Sequence, residues 1–290
     1  MNVIPISGKD SLAAALVQTA HEPSDYRFFF NDTGVELPET YEWLDRVERV
    51  TGWTIERVGK DLVEIIEFKQ ILPSQRVRFC TTDSKIKPME QWLGTGEFNV
   101  YFGIRADENR IGYKPLSKKC QITPRYPLQE HGINLGGVYA ILQGKDLLPP
   151  AFYWQSLENK VDELWAQNPS MWGDWRDFVS FHEKRLLFAG RTRNNCYFCF
   201  FQRKYEFCWL SETHPDLFAK AVEMEETIGG DGFTWCDQPL LEIAKKKEHY
   251  ITRRANEIIK YINGKIYQTI VNISSDNELS NTSCGLFCGK

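Results

Sequence analysis

The chain has no excess of basic residues. Its 35 Lys and Arg stand against 39 Asp and Glu, a formal net charge of -4, so no global field draws it to nucleic acid, and any basic groove would have to be local. It also lacks a long apolar run: no stretch approaches the roughly 18 residues that a bilayer-spanning helix needs. The first thirty residues show neither the basic n-region nor the apolar h-region of a secretory signal. Together these absences predict a cytoplasmic protein. No internal repeat is visible, which sets solenoid architectures aside.

What is present is ordinary in bulk and pointed in detail. Over 290 residues, 42% are hydrophobic and 26% charged, the balance of a globular protein with a real core. Eight cysteines in a reducing compartment argue for metal binding or thiol chemistry rather than four disulfides. They stand at Cys80, Cys120, Cys196, Cys199, Cys208, Cys236, Cys284 and Cys288.

From 2 to 105, short apolar runs (NVIPI, YRFFFN, WTIERV, FNVYFGI) alternate with helical stretches (SLAAALVQTA, PETYEWLDRVERV and one near 61 to 70). That alternation predicts an α/β fold with a parallel sheet and helices on both faces. YRFFFN is too apolar for a one-sided strand and suits burial on both faces. Pro5 belongs at a strand end, since proline cannot donate to a ladder. The expected organisation is a nucleotide-binding α/β domain over 1–150, a mostly helical region with the cysteine cluster over 151–270, and a polar, Ser- and Asn-rich mobile tail over 271–290. Most of Trp154, Trp165, Trp172 and Trp175 are expected in the core.

The stretch ISGKDSLAAAL at 6–16 runs from a strand into a helix. A glycine at such a turn lets the backbone approach a ligand, and free N–H groups with the helix dipole attract an anion. Ser7 and Ser11 add hydroxyls and Lys9 an ammonium, so Ser7, Gly8, Lys9, Asp10 and Ser11 form a candidate phosphate cradle. An ordinary capped helix start reads the same way. Asp32, Thr33 and Gly34 fall at the end of the second strand pattern, where open α/β sheets place ligands. Further cations follow in RFCTTDSKIKP (78–88) and VYFGIRADENR (100–110), each just past a strand or at a helix start.

The ordered series SGKDS, NDTGVELPETY, RFCTTDSKIKP, GIRADENR and YPLQEHG resembles the phosphoadenosine phosphosulfate reductase family, within the adenine nucleotide alpha-hydrolase-like superfamily, also called PP-loop ATP pyrophosphatases. The resemblance spans about residues 1–210. It implies a five-stranded parallel sheet binding an adenine nucleotide at its C-terminal edge. On that basis Ser7 to Ser11 are the phosphate loop. Asp32, Thr33 and Gly34 are a nucleotide-side loop, with Glu39 at the following helix start. Lys85 and Arg105 are cations facing sulfate or phosphates, and Glu108 orients Arg105. Two departures stand out. The superfamily loop reads S-G-G-x-D-S and here one glycine is missing; the reductases carry a catalytic cysteine in a Glu-Cys-Gly-x-His context, and here Cys284 and Cys288 sit in SCGLFC without the glutamate or the histidine.

Cys196-x2-Cys199-x8-Cys208 offers three thiolates to one ion. A [4Fe-4S] cluster or a structural zinc wants a fourth, from Cys284, Cys288, Cys120, Cys80 or Cys236. Iron–sulfur clusters in relatives favour iron; reduced core cysteines are the bland alternative. Three functions are consistent with this pattern. One is an ATP pyrophosphatase-type sulfurtransferase using ATP with Mg²⁺, with Lys9 and Arg105 stabilising phosphate charge and a sulfur donor completing the reaction. The second is a sulfonucleotide reductase in which Cys284 or Cys288 attacks a phosphosulfate and a thiol redox partner releases sulfite. The third is a non-catalytic nucleotide-sensing subunit, with Lys245, Lys246, Lys247, Arg253 and Arg254 as a contact for nucleic acid or a partner, although such a charge run is usually a solvated face. A homodimer is the expected assembly.

Overall fold

A computed structural model describes residues 1–109, 112–113, 120–167, 174–229 and 234–263, with His182 described by its backbone alone. The described residues divide into two compact units, the first formed by Met1–Pro150 with Asn194–Cys196, the second by Ala151–Arg193 and the described residues between 197 and 263.

The first unit is a parallel five-stranded sheet with helices on both faces, as the α/β reading expects. Strands β1 (Asn2–Pro5), β2 (Tyr26–Asn31), β3 (Ile55–Val58), β4 (Gly96–Tyr101) and β5 (Cys120–Arg125) lie in the order β3-β2-β1-β4-β5. Between them run α1 (Lys9–His21), α2 (Pro38–Thr51), α3 (Leu62–Lys69) and a helical segment made of α4 (Phe79–Thr81), a π-helical turn (Thr82–Ile86) and α5 (Lys87–Leu93); α6 (Pro127–Glu130) and α7 (Leu135–Gln143) follow β5. The alternation of strand side chains sorts the core into two layers. Ile4, Phe28, Phe30 and Ile55 face α1, α2 and α7; Val3, Phe29, Val58 and Val100 face Met89 and Leu93 of α5. YRFFFN thus buries both faces because each face has its own helical cover. Pro5 closes β1. The ladder to β4 is already over at Val3↔Val100, so the missing N–H costs nothing there.

The strand order carries the functional consequence. Connections from β1 run outward to β2 and β3, then the chain returns to place β4 on the other side of β1. The switch point lies between β1 and β4, and a crevice opens beyond their carboxyl ends.

The second unit is helical: α8 (Gln155–Gln167), a 3₁₀ turn (Trp175–Phe178), α9 (Phe181–Leu187), α10 (Lys204–Thr213), α11 (Pro215–Ile228), α12 (Leu240–Lys245) and α13 (Lys247–Ile262). Trp154, Trp175, Trp209 and Trp235 are fully buried in it. Two of the four ring nitrogens find partners among the described residues, Trp175 Nε1 donating to Asp162 Oδ1 at 2.7 Å and Trp235 Nε1 to Ala221 O at 2.8 Å. Trp165 is half-buried, and Trp172 lies outside the described residues. The basic run on α12 and α13 is not all solvated. Arg254 is buried, bonded to Leu187 O and paired with Glu257.

Candidate nucleotide site

At the exit of β1 the chain turns through Ser7 and Gly8 into α1, a thirteen-residue helix whose N-terminus faces the crevice. The turn is held from inside. Ser11 Oγ accepts the Ser7 N–H at 2.8 Å and the Gly8 N–H at 3.0 Å and donates to Gly8 O at 3.0 Å. Ser11 therefore holds the loop in shape through its own hydroxyl. Gly8 itself is extended, with φ of 170°, and a Cβ built there meets no atom within 4 Å. Neither strain nor crowding demands a glycine at this position. What the missing side chain leaves is room directly over a helix N-terminus.

The exit of β4 closes against the same turn. A Cβ at Gly103 would stand 2.4 Å from the Asp10 carbonyl carbon and from the Ser11 nitrogen, so only glycine lets the two backbones touch. Two residues on, Arg105 is 1% exposed and reaches three carboxylates: Nη1 to Asp10 Oδ2 at 3.2 Å and to Glu108 Oε1 at 3.1 Å, Nε to Asp107 Oδ1 at 3.1 Å. Lys9 Nζ lies 3.3 Å from the same Asp10 oxygen. The structure brings Arg105 and Glu108 together. It also turns the guanidinium onto carboxylates, where the sequence reading aimed it at phosphate or sulfate. Arg105 ties the β4 exit to the start of α1, and among the described residues Lys9 and Arg105 share the site with Asp10, Asp107 and Glu108. The second oxygen of Asp10, Oδ1, is buried with no hydrogen-bond partner among the described residues.

The second loop follows β2. Asp32 Oδ1 accepts the Gly34 N–H at 3.0 Å and the Tyr41 hydroxyl at 2.8 Å; burial, then this bond, hold the Tyr41 phenol far above its usual range. Thr33 is fully buried, its hydroxyl donating to Glu36 Oε1 at 2.8 Å and lying 3.7 Å from Cys196 Sγ. Gly34 adopts φ of 73°, and a side chain there would strike Asp61, which caps α3. Glu39 stands in the first turn of α2.

Lys85 lies in neither a strand exit nor a helix start. It is half-buried inside the π-helical turn, a local widening found often at functional positions. That turn is tied to the exit of β3, since Lys60 N–H donates to Ser84 O at 3.1 Å and Ser84 Oγ to Lys60 O at 2.5 Å. Asp83 anchors it from the other side through Lys87 at 2.6 Å and Lys69 at 3.0 Å. The three expected loops thus all lie along the carboxyl edge of one sheet. The sequence reading missed Gly103, Asp107, Tyr41 and Asn31. GIRAD did signal the first two, as a glycine and an acid flanking the expected arginine.

The described cysteines fall in both units. Cys196 belongs to the first unit, Cys199 and Cys208 to the second. Cys208 Sγ donates to Ile243 O at 3.7 Å, and burial pushes its thiol up to about 12; Cys236 is pushed up to about 11 by burial. Among the described residues no group of three or more His, Cys, Asp or Glu is placed to hold a metal ion. Cys284 and Cys288, two of the five candidates for the fourth ligand and the candidate catalytic cysteines, lie outside those residues.

The sheet and the loops at its carboxyl edge can be set beside known families. Residues 1–117 match the phosphoadenosine phosphosulfate reductase domain. That domain belongs to the adenine nucleotide alpha-hydrolase-like superfamily, whose fold the first unit has. Members of the domain family are generally enzymes that bind nucleotide substrates such as phosphoadenosine phosphosulfate or ATP. The chain is also 23% identical over 226 residues to the uncharacterized protein MJ0973 of Methanocaldococcus jannaschii, covering 77% of this chain and 47% of that protein. It spans about half the length of this curated relative. No helix among the described residues is long and apolar enough to cross a membrane.

Proposed function

We propose that the carboxyl edge of the sheet binds an adenine nucleotide with its phosphates at Gly8, and that the chain uses it in sulfur chemistry, with ATP as the preferred nucleotide. The observation that carries this is the room over Gly8 at the N-terminus of α1, within a segment that matches a nucleotide-binding family. Backbone dipoles there favour an anion, and Lys9 stands beside it.

ATP is preferred over a phosphosulfate on electrostatic grounds. Asp10, Asp107 and Glu108 gather around Lys9 and Arg105 among the described residues, a carboxylate-rich setting that suits a polyanion accompanied by a hard cation. Mg²⁺ is held by one or two carboxylates together with substrate phosphates, and Asp10, with its buried and unpartnered Oδ1, is the residue that fits it. When bound, Mg²⁺ would neutralise charge on the phosphates. The residues of this chain then hold and orient: Ser11 keeps the loop in shape, Arg105 fixes Asp10, and Lys9 supports charge on the leaving pyrophosphate. In the proposed reaction an acceptor oxygen attacks the α-phosphorus, the α–β bridging bond breaks, and pyrophosphate leaves an adenylate; a sulfur nucleophile then forms a bond to the acceptor carbon and expels AMP. A sulfonucleotide reductase is the second reading, favoured by the description of the matched domain.

Calorimetric titration of the full chain with ATP and MgCl₂, and separately with phosphoadenosine phosphosulfate, separates the two. Gly8→Ala tests the site itself. With open space for the Cβ and an ordinary φ, the variant is expected to melt within about 2 °C of wild type yet to bind nucleotide at least about tenfold more weakly, since the methyl group fills the room over the helix. Unchanged affinity in Gly8→Ala and in Lys9→Ala would remove the phosphates from this loop.

A further inference from the structure

Asn31 is the last residue of β2 and is 2% exposed. Both polar atoms of its side chain, Oδ1 and Nδ2, are buried without a hydrogen-bond partner among the described residues. An amide in that position loses its bonds to water and regains none, a cost that folded proteins rarely carry without a use for the group. Leucine or valine would fill the same place without it.

Its position says what the use is. Asn31 pairs with Val58 and shares the face of Phe29, so it ends an apolar stripe at the carboxyl edge. The ladder sets Pro5, the last residue of β1, beside Phe29; Asn31 follows two residues further along β2, at the same carboxyl edge of the sheet as the exit of β1. It therefore lies beside the crevice that holds the phosphates in the reading above, on which this inference rests.

The chemistry of the amide narrows the ligand group. A phosphate or sulfate would accept from Nδ2 but leave Oδ1 facing negative charge. A group with a donor next to an acceptor satisfies both atoms, as the amino group and neighbouring ring nitrogen of adenine do when an asparagine reads them. We propose that the Asn31 side chain recognises the base of the bound nucleotide and is a specificity-determining residue, while the Gly8 loop holds the phosphates.

The test uses the full chain with Asn31→Leu and Asn31→Asp, titrated by calorimetry with ATP and with inorganic tripolyphosphate, both with MgCl₂, and melted without ligand. Losing both hydrogen bonds in Asn31→Leu is expected to weaken ATP by about ten- to a hundredfold and to leave tripolyphosphate binding within twofold of wild type. The same variant, freed of the unpartnered amide, is expected to melt at or above the wild-type temperature. Asn31→Asp keeps an acceptor and loses the donor, so it too weakens ATP selectively. The inference is overturned if Asn31→Leu binds ATP as wild type does, or if it melts lower or fails to fold, which would make the amide a structural group. Wild type that binds tripolyphosphate but not ATP overturns base recognition while leaving the phosphate site. Wild type that binds neither overturns the nucleotide reading itself, and this inference with it.

Discussion

Replacing Arg105 with methionine removes the positive charge on which the β4 exit and the start of α1 converge. The guanidinium is 1% exposed and meets Asp10, Asp107 and Glu108 at 3.1 to 3.2 Å. At that separation one pair is worth about 5 kcal/mol with an effective dielectric near 20, but most of this offsets the desolvation of the charges themselves. The measurable quantity is the cost of breaking the group, about 3–5 kcal/mol when one partner of a buried pair is removed. Asp10 and Glu108, at 20% and 3% exposure, carry more of it than Asp107 at 39%, whose charge is screened by solvent. Hydrogen exchange read on the peptide over 9–21 reports this locally, as a drop of that size in the opening free energy of α1. A double-mutant cycle sharpens it. Asp10→Asn is destabilising alone, because Arg105 loses a partner, and stabilising in the Arg105→Met background, because it relieves carboxylate repulsion; the coupling is about 2 kcal/mol or more. If Arg105→Met costs under about 1 kcal/mol, or Asp10→Asn has the same effect in both backgrounds, the cluster does not hold the site together.

Two other perturbations follow from the same edge. Gly103→Ala forces a Cβ to within 2.4 Å of the α1 backbone; it is expected to cost about 1–3 kcal/mol in urea denaturation and to weaken nucleotide as the Gly8 loop shifts, and a variant as stable and as tight-binding as wild type would mean the close approach is not maintained. Burial alone would raise the Asp83 carboxyl, but hydrogen bonds from Lys87 and Lys69 outweigh it and hold the group below its usual range. A carboxyl depressed in the folded state stabilises above its unfolded value and loses that contribution as pH falls through the folded one. Asp83→Asn should therefore cost about 0.5–1 kcal/mol at pH 7, with the gap to wild type closing in denaturation curves taken below the ordinary carboxylate range; a gap independent of pH would contradict the pairing.

Much of the first unit was legible because its determinants are local. NVIPI, YRFFFN and the alanine-rich run after Ser11 each declare their state by apolar patterning, and alternating strands with helices implies a parallel sheet. The fifth strand was not legible. β5 is an edge strand with half its side chains exposed and Pro124 within it, so its apolar signal is weak and proline argues against it. Lys85 was misplaced for a related reason, since a π-helical turn inside a helix leaves no mark in hydrophobic periodicity. For Ser11, a hydroxyl at the third position of a helix serves either a ligand or the loop's own amides, and only coordinates tell which.

The sequence by itself determined the α/β architecture, the phosphate-loop candidate and the neighbourhood of Arg105, because those depend on residue type and spacing along the chain. Tertiary structure alone decided which side chains meet. It put Gly103 against Asp10, turned Arg105 onto three carboxylates, placed Cys196 beside Thr33, and left the Asn31 amide buried without a hydrogen-bond partner among the described residues. These contacts join residues from separate strands and loops, brought together by the order in which the strands pair, and no local pattern records that order.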